Sequence, residues 1–216
     1  MTVLDKVLTI LGKPLASRFV AGDTVEDALR VAQKLNNNGF EAIINFLGEA
    51  IEDSHQIPAH TKIYYQLIVE IRHRKLHARI SIKPSQLGLA ISTLDYFRHL
   101  ADIAATCLLH GVPLEIDMEE EGMSVSIIEA SISLKSIMPE LELRQTVAVN
   151  HVDAMNYLHK LTATGIKVRL CKGAYPSKYN EEQITQKFLS AVSYLRCTKL
   201  NYEFATHDSG LLYVIS

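Results

Sequence analysis

The stretch Val152 to Tyr175 reads VDAMNYLHKLTATGIKVRLCKGAY, and two periodicities meet inside it. Residues 152–164 carry apolar side chains at helical spacing, and Gly165 stops the run, as a glycine beyond a helix C-terminus does. The next residues change period. Ile166, Val168 and Leu170 alternate with Lys167, Arg169 and Cys171, which is a strand with one apolar and one polar face. The same unit recurs on both sides. Upstream, Asp23 as N-cap with Glu26 three residues later announces a helix through Val25, Ala28, Leu29, Ala32 and Leu35 that ends at Gly39. A strand over residues 42–46 follows. Then come a helix over 58–75, a strand over 79–83, a helix over 92–110 ended by Gly111, a strand over 113–117, a helix over 125–138 and a strand near 146–150. Downstream, a helix over 181–199 leads to a sixth strand over 202–206. Strands alternating with helices of this length imply βαβ units and a parallel sheet.

Composition limits what such a sheet can serve. The chain has 216 residues, 48% hydrophobic and 21% charged, with a net charge of −2. That is ordinary globular composition and fits one domain over residues 1–216. It gives no electrostatic case for nucleic acid and no apolar run long enough to span a bilayer. Cys107, Cys171 and Cys197 show no C-x-x-C spacing and read as reduced thiols. No H-E-x-x-H occurs, so no metal site is expected. The N-terminus lacks the pattern of a signal or transit peptide. Its amphipathic stretch from Val3 to Leu11 reads as a docking helix, with a membrane-surface element as the alternative. The expected location is cytoplasmic, with a peripheral contact at the inner membrane left open.

The sheet could close as a barrel or stay open and doubly wound. Strands covered on both faces by helices usually read as continuous apolar runs. Here Ile80 and Ile82 alternate with Arg79, Ser81 and Lys83, and Leu114 and Ile116 with Glu115 and Asp117. No G-x-G-x-x-G or Walker pattern is present. Both observations favour a (βα)₈ TIM-type barrel whose interior holds a polar ligand rather than a filled core. In such a barrel, catalytic groups sit at the C-terminal ends of strands. Lys83, Asp117, Arg169, Lys172, Thr206 and His207 hold those positions. Lys83 and Arg169 would be balanced by Asp117 and Glu115. Two chemistries fit: a Schiff-base lysine, as in a class I aldolase, or cations and backbone amides that hold an anionic cofactor beside an amino-acid substrate.

The strand-end motifs resemble a known family. RISIKPSQLGL around Lys83, IDMEE around Asp117, VRLCKGAY over residues 168–175 and FATHD over 204–208 together look like the proline dehydrogenases, FAD-dependent (βα)₈ barrels. RFVAGDT over 18–24, LGE over 47–49 and YYQL over 64–67 resemble the same family. The resemblance implies oxidation of L-proline to 1-pyrroline-5-carboxylate, with hydride transfer to the flavin N5 and then electrons to a quinone. It implies Lys83 at the substrate, Asp117 and Arg169 as catalytic residues, and Arg169 near the flavin ring. Ile116, Cys171, Lys172, Gly173, Ala174, Tyr175, Thr206 and His207 would hold the cofactor.

The sequence also departs from the family's pattern. The glutamine usual on the fourth strand falls on Ala148 in an ungapped count, with Gln145 three residues earlier. Asn45 stands where Asp is usual, and Asp208 where Asn is usual. Six of eight strands are found, which implies a C-terminally truncated barrel without its last two βα units. There is no Arg-Arg dipeptide to clamp a proline carboxylate. Weak or absent turnover is therefore expected of the chain alone. The alternative function is a non-catalytic remnant, or a fragment that a partner completes.

Overall fold

Thr24, not Asp23, opens the first helix. Thr24 has extended backbone, φ −124° and ψ 157°, and its Oγ1 accepts the Asp27 N–H at 3.1 Å. Asp27 Oδ2 in turn accepts the Thr24 N–H at 3.2 Å, which completes the reciprocal box. The expected cap pair thus slips by one residue, because Asp23 and Thr24 are both competent caps and only the backbone turn chooses between them. The structure, a computed structural model, describes residues 20–48, 51 and 53–215. The stretch Val3 to Leu11, with Arg18, Phe19 and Glu49, lies outside the described residues.

From Thr24 the elements alternate as α1 (Val25–Asn37), β1 (Ala42–Asn45), α2 (Ile57–His73), β2 (Ala78–Ile82), α3 (Thr93–His110), β3 (Leu114–Ile116) and α4 (Ser124–Ile137). They continue as β4 (Leu143–Ala148), α5 (Ala154–Ala163), β5 (Lys167–Cys171), α6 (Glu181–Arg196), β6 (Tyr202–Ala205) and α7 (Ser209–Ile215). All six strands are parallel and pair in chain order, β1 to β6. The sheet curls into part of a barrel, six strands of a (βα)₈ design, with β1 and β6 as its edges among the described residues.

The fourth strand starts earlier than its expected position near residue 146. Leu143 pairs with Leu114, Arg144 with Glu115 and Gln145 with Ile116. Arg144 and Gln145 look like loop residues in the sequence. Each is buried because a partner satisfies it: Arg144 by Glu115, and Gln145 by the Ser131 hydroxyl and the Ile116 carbonyl.

Strand alternation sorts the side chains into two layers. Ile44, Ile80, Ile82, Leu114, Val147, Val168 and Leu170 pack outward against the helices in one core that runs from Leu29 to Leu211. Each fully buried side chain of this kind is worth about 1.5–3 kcal/mol. The inward face carries Asn45, Arg79, Ser81, Glu115, Arg144, Thr146, Lys167, Arg169 and Glu203, matched by register. Its lower levels carry internal ion pairs. Arg79 lies 2.9 Å from Glu41 and 3.7 Å from Glu142, and Lys167 lies 2.9 Å from Glu142. One level up, Arg144 pairs with both Glu115 and Glu203. A charge buried alone costs several kcal/mol, so register-neighbouring charges close on one another. The expectation of an interior left open for a ligand is corrected at the Arg144 level; Glu41, Arg79 and Glu142 line a pocket of about 350 Å³ below it.

Among the described residues, no helix is long and apolar enough to cross a membrane, and no group of three His, Cys, Asp or Glu could hold a metal ion.

Candidate functional site

Above the ion pairs, the loop ends form a rim, and Asp117 is its hub. It follows β3 directly, its N–H bonded to the Ile82 carbonyl at 2.9 Å. Its carboxylate collects donors from four strands. Asn45 Nδ2 of β1 donates at 2.6 Å, Ser81 Oγ of β2 at 2.9 Å and Arg169 Nη2 of β5 at 2.8 Å, while Thr146 Oγ1 of β4 stands at 3.5 Å. An ionised carboxylate only accepts hydrogen bonds, and here its two oxygens are taken by donors fixed on rigid elements.

Arg169 joins the rim to the level beneath. Besides Asp117, its Nε lies 2.7 Å from Glu115 Oε1 and 3.3 Å from Thr146 Oγ1. Glu115 is fully buried, and burial pushes its carboxyl above the usual range despite the nearby Arg169 and Arg144 charges. The guanidinium is thereby gripped from below and from the side. Asp117 and Arg169 are brought together as the strand-end pattern implies.

Lys83 is not part of that grip. The expected balance of Lys83 by Asp117 or Glu115 does not form, because Arg169 takes both carboxylates. Among the described residues Lys83 makes no ion pair, and it is half-buried. What fixes its position is the turn after it. Glu119, itself buried, accepts the Ser85 N–H and the Ser85 hydroxyl, both at 2.6 Å. Gln86 Nε2 donates to the Phe46 carbonyl at 2.9 Å and Gln86 Oε1 accepts the Tyr64 hydroxyl at 2.7 Å. These bonds tie together the loops after β1, β2 and β3.

The end of β5 forms the other half of the rim. Burial pushes the Cys171 thiol up to about 11, so it is no nucleophile at neutral pH. Gly173 has φ +103°, a conformation that disfavours any side chain. A Cβ there would overlap the Asn150 side chain, so the space beside Gly173 belongs to the protein. Asn150 uses it to donate Nδ2 to the Tyr175 carbonyl at 2.8 Å, while its backbone N–H meets the Lys172 carbonyl at 3.1 Å. Ala174 is exposed and Tyr175 half-buried. Lys172 pairs with Asp208, and Thr206 Oγ1 accepts the Asp208 N–H at 3.1 Å, while His207 lies exposed between them in sequence. Ile116 is placed elsewhere. Its side chain is fully buried in the helix-facing layer, one residue before Asp117. Asn45, Ser81, Thr146, Glu119 and Asn150 complete the site and were missed as site residues. Only inward strand parity, for Ser81, Asn45 and Thr146, could have signalled them.

With this geometry in place, comparison identifies the fold and lineage. The model of the family described as proline dehydrogenase matches residues 28–203. The chain belongs to the proline dehydrogenase family. Proline dehydrogenase 1 of Bacillus subtilis (strain 168) is 29% identical over 207 residues, covering 91% of this chain and 66% of that protein. The bifunctional protein PutA of Escherichia coli (strain K12) is 28% identical over 256 residues, covering 98% of this chain and 19% of that protein. The crystal structure of proline utilization A from Bdellovibrio bacteriovorus inactivated by N-propargylglycine superposes with a TM-score of 0.85 at 17% identity. That match covers 99% of this chain and 27% of the other, and it establishes the barrel fold. The chain thus spans just under two thirds of its Bacillus relative and about a quarter of that structure.

In this proline dehydrogenase family member, Gln145 and Ala148 face opposite layers of the fourth strand. Gln145 faces α4, bonded to Ser131, and cannot turn inward without exposing Val147 and Leu143 of the same strand to the wrong layer. Ala148 is the residue whose register partner is Cys171 at the rim.

Proposed function

We propose that this chain carries the catalytic half of a site that oxidises L-proline to 1-pyrroline-5-carboxylate with FAD, the electrons passing on to a quinone. The observation that supports it is the Asp117–Arg169 contact, made at the C-terminal ends of the strands and braced from four strands and from Glu115 below. The residues fit the cofactor in their chemistry. Three cations, Lys83, Arg169 and Lys172, stand at one rim, and two buried amide oxygens, Asn45 Oδ1 and Asn150 Oδ1, have no donor. Bound FAD would supply the two-electron acceptor for a hydride from the substrate ring.

The chain's own residues do the rest. The planar guanidinium fork of Arg169 is already oriented, so it would favour negative charge developing beside it without reorganisation. Asp117 keeps that fork in place. Lys83, held by the stapled turn after β2 and without an internal carboxylate, offers its ammonium to the substrate. Lys172, Gly173 and Tyr175 on one loop end, with Thr206 and His207 on the next, would line the cofactor's extended part.

The test is single-turnover reduction of flavin bound to the purified protein. L-proline should bleach the flavin absorbance, and Asp117→Asn and Arg169→Met should each slow bleaching by about 10²-fold. Flavin that binds but is not bleached by proline would refute the reading.

A further inference from the structure

Lys172 is held by its own protein. Its Nζ lies 2.7 Å from Asp208 Oδ2 and 3.8 Å from Glu181. Asp208 is fixed from its other side: Oδ1 accepts the N–H of Gly210 at 3.0 Å and of Leu211 at 3.1 Å, at the start of α7. One carboxylate therefore caps α7 with one oxygen and holds the lysine with the other, joining the loop ends of β5 and β6. The pair is only partly covered, with side-chain exposures of 22% and 35%, so an external anion can reach it.

We propose that Asp208 limits the affinity of this rim for a diphosphate-bearing dinucleotide by occupying the ammonium of Lys172 with an internal carboxylate. The inference rests on the dinucleotide reading above and adds a residue that works against binding. An ammonium is a compact charge with three donors. An incoming diphosphate must either displace Asp208 or share Lys172 with it while bearing the repulsion of a second anion. Glu181 adds to that repulsion at longer range. Asparagine at position 208 keeps an oxygen for the Gly210 and Leu211 amides and removes the negative charge. The effect of the charge can therefore be separated from that of the cap.

The experiment titrates the full chain with FAD and with riboflavin, which has no phosphate, by flavin fluorescence at low ionic strength. The proteins are the parent, Asp208→Asn, Asp208→Ser, Lys172→Gln and the Asp208→Asn/Lys172→Gln double variant. Serine, like asparagine, caps a helix, so two independent folds of the same test are in hand. Both position-208 variants should bind FAD about two- to fivefold more tightly, the size of one exposed charge pair. Riboflavin affinity should not change, and the gain should shrink in the Lys172→Gln background and with added salt. Unchanged or weaker FAD binding in both variants overturns the proposal, as does an equal gain with riboflavin. If no variant binds either flavin, the dinucleotide reading itself fails and the proposal falls with it. Flavin binding without the gain refutes the proposal alone.

Discussion

Replacing Gly173 with alanine separates a rim packed by the protein from one kept open for a ligand. Two costs add. The backbone stays at φ +103°, a region that costs a residue with a side chain about 1–3 kcal/mol. The new methyl would also overlap the Asn150 side chain, which must move and give up its 2.8 Å bond to the Tyr175 carbonyl. That bond is worth about 1 kcal/mol net. Gly173→Ala should therefore destabilise by about 3 kcal/mol, which lowers the melting temperature by roughly 6–12 °C in a chain of this size. Asn150→Ala alone loses only the bond, about 1 kcal/mol. In the double variant the collision is gone and the bond is lost once, so the cost is about 3 kcal/mol rather than the 4 of simple addition. Equilibrium unfolding in urea of the four proteins reads that coupling of about 1 kcal/mol directly. A single-variant cost below about 1 kcal/mol, or strict additivity, would show that Asn150 does not fill the space beside Gly173.

Tyr64→Phe should cost about 1–3 kcal/mol in urea unfolding, because it leaves Gln86 Oε1 buried without its donor; a neutral effect would refute the tie between α2 and the β2 loop. His151 is buried against Ser124, and burial holds its pKa below the ordinary 6.5. Above 6.5 both states are neutral there and stability is full; as pH falls through 6.5 the unfolded chain takes the proton first, so stability declines. His60 shifts in the same direction. His151→Gln should flatten the slope of unfolding free energy between pH 6.5 and about 5, and an unchanged slope would count against the buried neutral imidazole. Thr24→Ala should lower stability by about 1 kcal/mol through loss of the α1 cap, measured by thermal melts against Asp23→Ala, which should be near neutral.

The alternation of periods made the element order legible, because each helix and strand declares itself within a dozen residues. The inward charges Arg169 and Asp117 were legible for the same reason, since parity along a strand is a local property. What was hidden is what lies across strands. Arg144 looked like loop because nothing within its own strand explains a buried guanidinium; Glu115, 29 residues away, does. Asn45 reaches Asp117 over 72 residues and Arg169 reaches it over 52. Such distances leave no periodic trace. The Asn150 side chain beside Gly173 belongs to the same class: the glycine is visible in the sequence, but its reason lies in the loop after β4.

The two fates of the charged face follow from one rule applied at different heights. At the levels of Arg79 and Arg144, each guanidinium has two carboxylates within ion-pair distance, Glu41 and Glu142 for Arg79, Glu115 and Glu203 for Arg144, so most of that charge is met inside the protein. At the rim the balance is lost. Asp117 already receives its donors, Arg169 is oriented but only partly covered, and Lys83 has no internal carboxylate. Among the described residues, Lys83 is therefore the rim cation left without a carboxylate. An anionic substrate or cofactor is drawn there by the same pairing requirement that closes the interior below.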